Sequence, residues 1–343
     1  MKPVVSILIT TYNYGRFIEE CLDSVLSQDF PADQMEVVVV DDGSTDDTEE
    51  RVRKYGAKVR YFRTANRGQA SALNLGFTES RGEIIALLDA DDIFFPGKLA
   101  LLADAFERDP GLGMVYHPMQ GWNAQTNERR ESQYPLLGGS LFENEGTFFW
   151  YEAPGTCASF RRKFVEKLLP IPEGIRMLAD DYPGCLIVFV APILALPECL
   201  SAYRVHGSNS FQVNESHMPL ETRKNRLRLW QVVTDAKCKW LFDHGFTRKQ
   251  SAVRSALDRW RLHLQNQEFE IKPPGRLRFF AHLLLYNRCY GPHLSRRLRA
   301  INRVNSLGAL VVGYKHFHLL EEWRLAMVGG LKRAFRATEE RIL

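Results

Sequence analysis

The chain has 343 residues, 45% of them apolar and 25% charged, which suffices for a sizeable core and for one large domain or two. Its six cysteines (Cys21, Cys157, Cys185, Cys199, Cys238 and Cys289) form no C-x-x-C pair and no regular spacing, which argues against a disulfide framework or a zinc site and for a reducing compartment. The net charge of +4 conceals a division: residues 1–212 carry 20 Lys/Arg against 30 Asp/Glu, while residues 213–343 carry 25 against 11.

This division places a domain boundary between residues 212 and 213, with an acidic front and a basic back suited to different partners. The opening Met-Lys-Pro-Val-Val-Ser enters a strand without the cationic and apolar regions of a secretory signal, so a cytoplasmic location is expected. The longest apolar stretch, residues 184–197, contains Pro192 and is too short to span a bilayer.

Taken in order, residues 4–10 (VVSILIT) read as a buried strand, followed by Phe17, Ile18, Cys21, Leu22, Val25 and Leu26 at helical spacing. A second strand, residues 35–40 (MEVVVV), ends in Asp-Asp-Gly-Ser-Thr-Asp, and residues 48–55 continue as a polar helix. A short strand at 59–63, a helix at 70–79 and a strand at 84–88 follow. This alternation predicts βαβ units and an α/β fold with a mostly parallel sheet. A helix is expected at 97–109, a strand at 113–117, an irregular polar loop at 122–141 and a helical turn at 164–169. Phe148, Phe149, Trp150 and Tyr151 lie near Ala-Pro-Gly-Thr and could stack on sugar rings, although such clusters more often serve a core. From Pro219 onward the pattern is helical. Thr247 with Gln250 suggests a capping box, and 275–290, 294–304 and 310–335 read as further basic helices.

The strand at 84–88 ends abruptly at Asp89, Asp91 and Asp92. Three carboxylates at one strand tip repel each other and are costly to desolvate, so the arrangement calls for a cation. Oxygen ligands without Cys or His select Mg2+ or Mn2+, an ion that commonly completes its shell with substrate phosphates. The plain alternative is an Asp-rich turn capping the next helix. Thr10 and Asp42 end the first two strands at the same sheet edge, where ligands bind in open α/β sheets. No G-x-G-x-x-G follows the first strand and no G-x-x-x-x-G-K-[ST] occurs, which removes support for dinucleotide and P-loop folds.

The segments S-I-L-I-T-T-Y-N, V-V-V-V-D-D-G-S-T-D, N-R-G-Q-A-S-A-L-N-L-G, G-E-I-I-A-L-L-D-A-D-D, A-D-D-Y and Y-R-V-H-G-S-N-S, in this order, resemble the family 2 glycosyltransferases. The resemblance covers residues 3–211 and implies a GT-A fold, Rossmann-like with a mostly parallel sheet flanked by helices; an α-helical C-terminal region follows it. It implies that Thr10 and Tyr12 pack on the nucleotide base and ribose and that Asp42 hydrogen-bonds the base. Asn66 and Gly68 would lie in the loop closing over the nucleotide, Asp89 near the ribose, and Asp91 on the metal at the donor diphosphate. Asp92 and Asp180 are neighbouring acids of the same motifs. Asp181 matches the catalytic base, and His206 a histidine often found in the later motif, although a hydrogen-bonded structural imidazole is its default reading.

After Asp181 the family usually continues as an amphipathic helix. Here Tyr-Pro-Gly-Cys follows, and Gly184 and Pro192 predict a weak helix. Neither the Gln-x-x-Arg-Trp motif nor the membrane spans of processive members occur, so single addition to a glycan or lipid-linked acceptor is implied, with inversion. The basic C-terminal helices are expected to rest on an anionic membrane surface, the inner face of the plasma membrane, and no nucleic acid is expected as partner. The rival classes are a non-catalytic sugar-nucleotide-binding protein on the same fold and a nucleotidyltransferase, the latter lacking a basic phosphate loop near residues 10–20.

Overall fold

The computed structural model describes residues 4–131, 155–207, 209, 218–290, 306 and 314. The chain divides into two compact units, Met1–Arg254 and Ser255–Leu343. The first opens with β1 (Val5–Thr11), α1 (Gly15–Leu26), β2 (Met35–Asp41), α2 (Thr48–Arg53), β3 (Val59–Arg63), α3 (Gln69–Glu79) and β4 (Ile84–Asp89). It continues with β5 (Ile93–Phe94), α4 (Lys98–Arg108), β6 (Met114–Tyr116), β7 (Met119–Asn123), β8 (Arg129–Glu131) and β9 (Ala158–Arg161). Then come α5 (Arg162–Val165), α6 (Asp181–Leu186), β10 (Ile193–Ala195), β11 (Ser201–Val205) and α7 (Leu220–Asp243). Helix α8 (Ser251–Ile271) runs across the boundary and α9 (Arg276–Tyr290) lies in the second unit. Helix α7 therefore belongs to the compact unit of the sheets, which runs on past the boundary after residue 212 expected from charge.

The main sheet has seven strands in the order β10-β6-β9-β4-β1-β2-β3. Four of its six pairings are parallel, and β9 is the antiparallel insertion between β4 and β6. Strands β1 and β4 are covered on both faces, which is why they read as unbroken apolar runs instead of alternating. Helix α1 turns Ile18, Cys21, Leu22 and Val25 into the core at i, i+3, i+4 and i+7. On α3, Gly76 lets the helix approach the sheet, since a Cβ there would fall 2.1 Å from Leu8 Cδ1.

A second sheet, β5-β11-β7-β8, flanks the site. Its β7–β8 hairpin corrects the expectation of an irregular loop from residue 122. Asn127 takes a left-handed φ of 54°, and Asn123 Oδ1 accepts the N–H groups of Gln125 and Thr126, so short polar strands close around a tight turn. The remainder of that stretch, with Phe148 to Tyr151, lies outside the described residues, as do the expected helices at 294–304 and 310–335 apart from Ser306 and Tyr314. Residues after Asp181 do form a helix, α6, with Pro183 in its first turn, where its missing N–H costs nothing. A 3-10 turn, Ile187–Phe189, continues it. Thr247 N donates to Gln250 Oε1 at 2.8 Å, the backward half of a capping box ahead of α8. In the second unit Phe269 and Phe279 pack with Leu283 and Tyr314. No helix among the described residues is long and apolar enough to cross a membrane.

Candidate active site

The parallel register brings Thr10 opposite Asp89 and Val40, so the tips of β1, β2 and β4 open on one edge. There a cavity of about 860 Å³ is lined by Thr10, Tyr12, Asp42, Asn66, Gly68, Asp89, Asp91, Asp180 and Asp181. Nine of the residues singled out from sequence thus meet at one surface, while Asp92 and His206 stand behind it.

At the β2 tip, the two aspartates divide the work. Asp41 is fully buried and accepts Tyr61 Oη at 2.6 Å and Ser44 N at 2.7 Å, a structural role. Asp42 accepts the backbone N–H groups of Arg67 (2.9 Å) and Gly68 (2.8 Å) on its two oxygens, tying the 66–68 loop to the strand. That loop is fastened on its other side to residues 175–179. Gln69 N donates to Arg176 O at 2.9 Å, Ala70 N to Ile175 O at 3.3 Å, Ala179 N to Gln69 Oε1 at 2.9 Å and Arg176 Nη2 to Asn66 Oδ1 at 2.9 Å. The first two of these bonds satisfy the opening amides of α3, which have no partner within the helix. Gly68 has φ +99°, and a Cβ there would meet Arg176 Cα at 2.7 Å, so only glycine allows the two segments to meet.

At the β4 tip, Asp92 is wholly buried and fully engaged, accepting Thr156 Oγ1 at 2.6 Å and Arg204 N at 2.9 Å. It joins β4 to β11 and is not a ligand candidate. Asp91 Oδ2 faces His206 Nε2 at 3.0 Å and Asn209 Nδ2 at 3.4 Å, while its carbonyl oxygen accepts Arg204 Nε at 2.7 Å. Because Arg16 Nη2 lies 3.3 Å from His206 Nδ1, that nitrogen is the acceptor and Nε2–H donates to Asp91. Burial and the charges of Asp92, Asp180 and Asp91 push the Asp89 carboxyl well above the usual range. This is the signature of anions gathered without enough positive charge, and the donor set of carboxylate oxygens suits Mg2+ or Mn2+. Among the described residues no three His, Cys, Asp or Glu side chains form a preformed cage, which an ion that keeps waters and substrate phosphates does not require.

On the facing wall, Leu178 adopts φ 62°, a costly conformation for a large side chain. It turns the chain so that α6 begins at the cavity with Asp180 and Asp181. Asp180 is pushed up to about 6 by burial and by the charge of Asp181. Asp181 is different, since its Oδ2 receives the Lys237 Nζ of α7 at 2.6 Å.

Four contributors were not legible in the sequence. Thr156 bridges Asp89 N and Asp92; Arg204 braces Asp91, Asp92 and Glu20; Lys98 donates to Thr156 O and Ser201 Oγ from full burial; Lys237 pairs with Asp181. Lys98 and Lys237 sit in helices whose sequence pattern has room for a solvated lysine at those positions, and only the tertiary contact marks them as interior.

Residues 6–169 match the family described as Glycosyl transferase family 2. An uncharacterized glycosyltransferase of Nostoc sp. is 34% identical over 218 residues, 60% of this chain and 66% of the relative. The probable glycosyltransferase YdaM of Bacillus subtilis is 31% identical over 179 residues, 48% and 42% of the two chains. TarS 1–349 of S. aureus in complex with UDP-GlcNAc aligns with TM-score 0.55 and 19% identity, covering 91% of this chain and 92% of that one. The mannosyltransferase PcManGT from Pyrobaculum calidifontis, in complex with GDP-Man and Mn2+, aligns with TM-score 0.53 and 23% identity, covering 93% and 83%. The sheet and its flanking helices are those of a GT-A fold. Residues 6–169 therefore carry a family 2 glycosyltransferase domain, and the chain spans only part of the length of the curated relatives it matches.

Proposed function

We propose that the chain transfers a sugar from a nucleotide-diphosphate sugar to an acceptor hydroxyl, with inversion at the anomeric carbon. The observation that carries this reading is the convergence of Thr10, Tyr12 and Asp42 with Asp89, Asp91 and Asp181 on one cavity. The complexes of TarS with UDP-GlcNAc and of PcManGT with GDP-Man support a donor of this class. Thr10 and Tyr12 pack on base and ribose, Asp42 receives a base N–H, the Asn66–Gly68 loop closes over the nucleotide, and Asp89 approaches the ribose. Asp91 holds Mg2+ or Mn2+, whose contribution is Lewis-acid stabilisation of the charge growing on the departing diphosphate, worth several kcal/mol. The Mn2+ in the PcManGT complex supports this assignment. Asp181 takes the acceptor's hydroxyl proton as the oxygen bonds the anomeric carbon and the bond to the diphosphate oxygen breaks. One base and one in-line displacement produce inversion. A glycan or lipid-linked acceptor in cell-surface polysaccharide or glycolipid assembly fits the basic residues 213–343, which suit an anionic membrane face on the cytoplasmic side.

A thermal-shift screen of nucleotide sugars with Mn2+ tests the reading. The accepted donor at 100 times its dissociation constant stabilises by ~2.7 kcal/mol. Excess chelator should abolish both the shift and turnover, and Asp181→Asn should keep binding while losing transfer. Protection by no nucleotide sugar overturns the donor assignment, and undiminished turnover in chelator overturns the metal's role. Wild-type binding without any turnover favours the non-catalytic alternative.

A further inference from the structure

We propose that Lys237 is a positioning residue for the transfer, an α7 cation that pairs with the Asp181 carboxylate and holds it in one orientation; this rests on reading Asp181 as the base. The ammonium lies 2.6 Å from Asp181 Oδ2 and 3.2 Å from Cys185 Sγ. Side-chain exposure is 2% for Lys237 and 8% for Asp181, so neither is free to swing into solvent. A carboxylate is planar, and fixing one oxygen at hydrogen-bond distance fixes the direction in which the other faces.

The electrostatic need is local. On α6, Asp181 adjoins Asp180, and the same cavity is lined by Asp89 and Asp91, with Asp92 behind them. Each of these anions opposes a further negative charge, and burial adds to the cost. Arg176 from the loop before α6 and Arg226 from α7 line the cavity, and Lys237 meets the Asp181 carboxylate directly. Burial would discharge the lysine, yet the Asp181 carboxylate and the Cys185 sulfur hold its ammonium above its ordinary value. The Cys185 thiol is itself pushed well up by burial and by Asp181, and so stays neutral. Asp180, with no such partner, is the acid of the pair that is driven toward protonation. Lys237 therefore gives Asp181 a buried cationic partner at hydrogen-bond distance. It also makes α7 part of the reaction machinery, although the helix lies outside residues 6–169 that match the family.

The experiment compares wild type, K237M, K237R and D181N in the full chain. With aspartate labelled at the carboxyl carbon, the Asp181 signal, assigned by its loss in D181N, is followed by NMR across pH. Its midpoint should rise by about one pH unit or more in K237M and return toward wild type in K237R. Using UDP-GlcNAc or GDP-mannose with Mn2+ and water as acceptor, kcat in K237M should fall at least about tenfold at pH 7, with donor KM within about twofold. Its acidic limb should shift upward, so that part of the loss is recovered at higher pH. K237Q, which keeps a donor without charge, takes the place of K237M if the latter does not fold. An Asp181 midpoint that is unchanged in K237M and K237Q overturns the proposal, because a lysine that only braces the helices would lower the melting temperature without moving that titration. Failure of the base assignment is separate: D181N turning over at the wild-type rate overturns that reading whatever the NMR shows.

Discussion

Five carboxylates occupy or back the cavity, and they differ in what offsets their charge. Asp92 accepts two hydrogen bonds yet is pushed well up by burial and by Asp91, Asp181 meets an ammonium and Asp91 a histidine and an asparagine, while Asp89 and Asp180 are pushed up by burial and by the repulsion of neighbouring carboxylates. That repulsion is stored against folding and should be visible as a stability change. The Asp180 carboxyl keeps its proton up to about pH 6 in the fold, whereas the unfolded chain releases it near ~3.9. Between these values the folded state binds more protons, so stability falls as pH rises from about 4 to 6 and stays lower above. Asp180→Asn should therefore stabilise the metal-free, donor-free protein at pH 7 by on the order of 1–2 kcal/mol, after allowance for screening by solvent in the cavity. Thermal melts of variant and wild type should coincide below pH 4. A constant gap across pH would mean that Asp180 is not the group responsible.

Between elements, the decisive device is the clamp that ties the 66–68 loop to the β2 tip on one side and to residues 175–179 on the other. Asp42 accepts two loop amides, so removing it loosens the loop as well as any contact to a nucleotide base. Asp42→Ala should weaken nucleotide binding by about 1.5–3 kcal/mol, the range for a hydrogen bond to a charged group, and lower the melting temperature of the free protein too. Calorimetric titration with nucleotide and a melt of the free variant check the two halves separately; unchanged affinity in a folded variant counts against the placement. The motif at residues 41–46 was legible as a turn after a buried strand, but its internal division of labour was not. Which of two adjacent aspartates turns inward depends on the strand's pleat and on Tyr61 from β3, a neighbour about twenty positions away. Likewise Gly184 weakened the expectation of a helix after Asp181, yet α6 forms because Tyr182, Pro183, Cys185 and Leu186 are all buried, and tertiary burial outweighs local propensity.

Across the whole chain, the charge division between residues 1–212 and 213–343 remains the strongest pointer to a second partner. Each Lys or Arg close to an anionic bilayer contributes about 1 kcal/mol, so a handful on one face suffices for reversible attachment. The full-length protein is expected to pellet with anionic vesicles at low salt and to be released at high salt, when the surface charge is screened. A truncation lacking residues 309–343 should stay in the supernatant. Equal pelleting with and without these residues would exclude them as the anchor.

The buried parallel strands, the acids at their tips and the order of the motifs followed from sequence alone, because a strand covered on both faces must be apolar throughout and must end where polar residues begin. Those features place Thr10, Asp42, Asp89 and Asp91 at one edge with no knowledge of distant contacts. The partners that set the charge of each acid were decided only in three dimensions. Thr156, Arg204 and Lys237 lie 64, 112 and 56 positions from the carboxylates they hold. No local pattern encodes such a pairing: a lysine in a helix reads as solvated until packing removes the water around it.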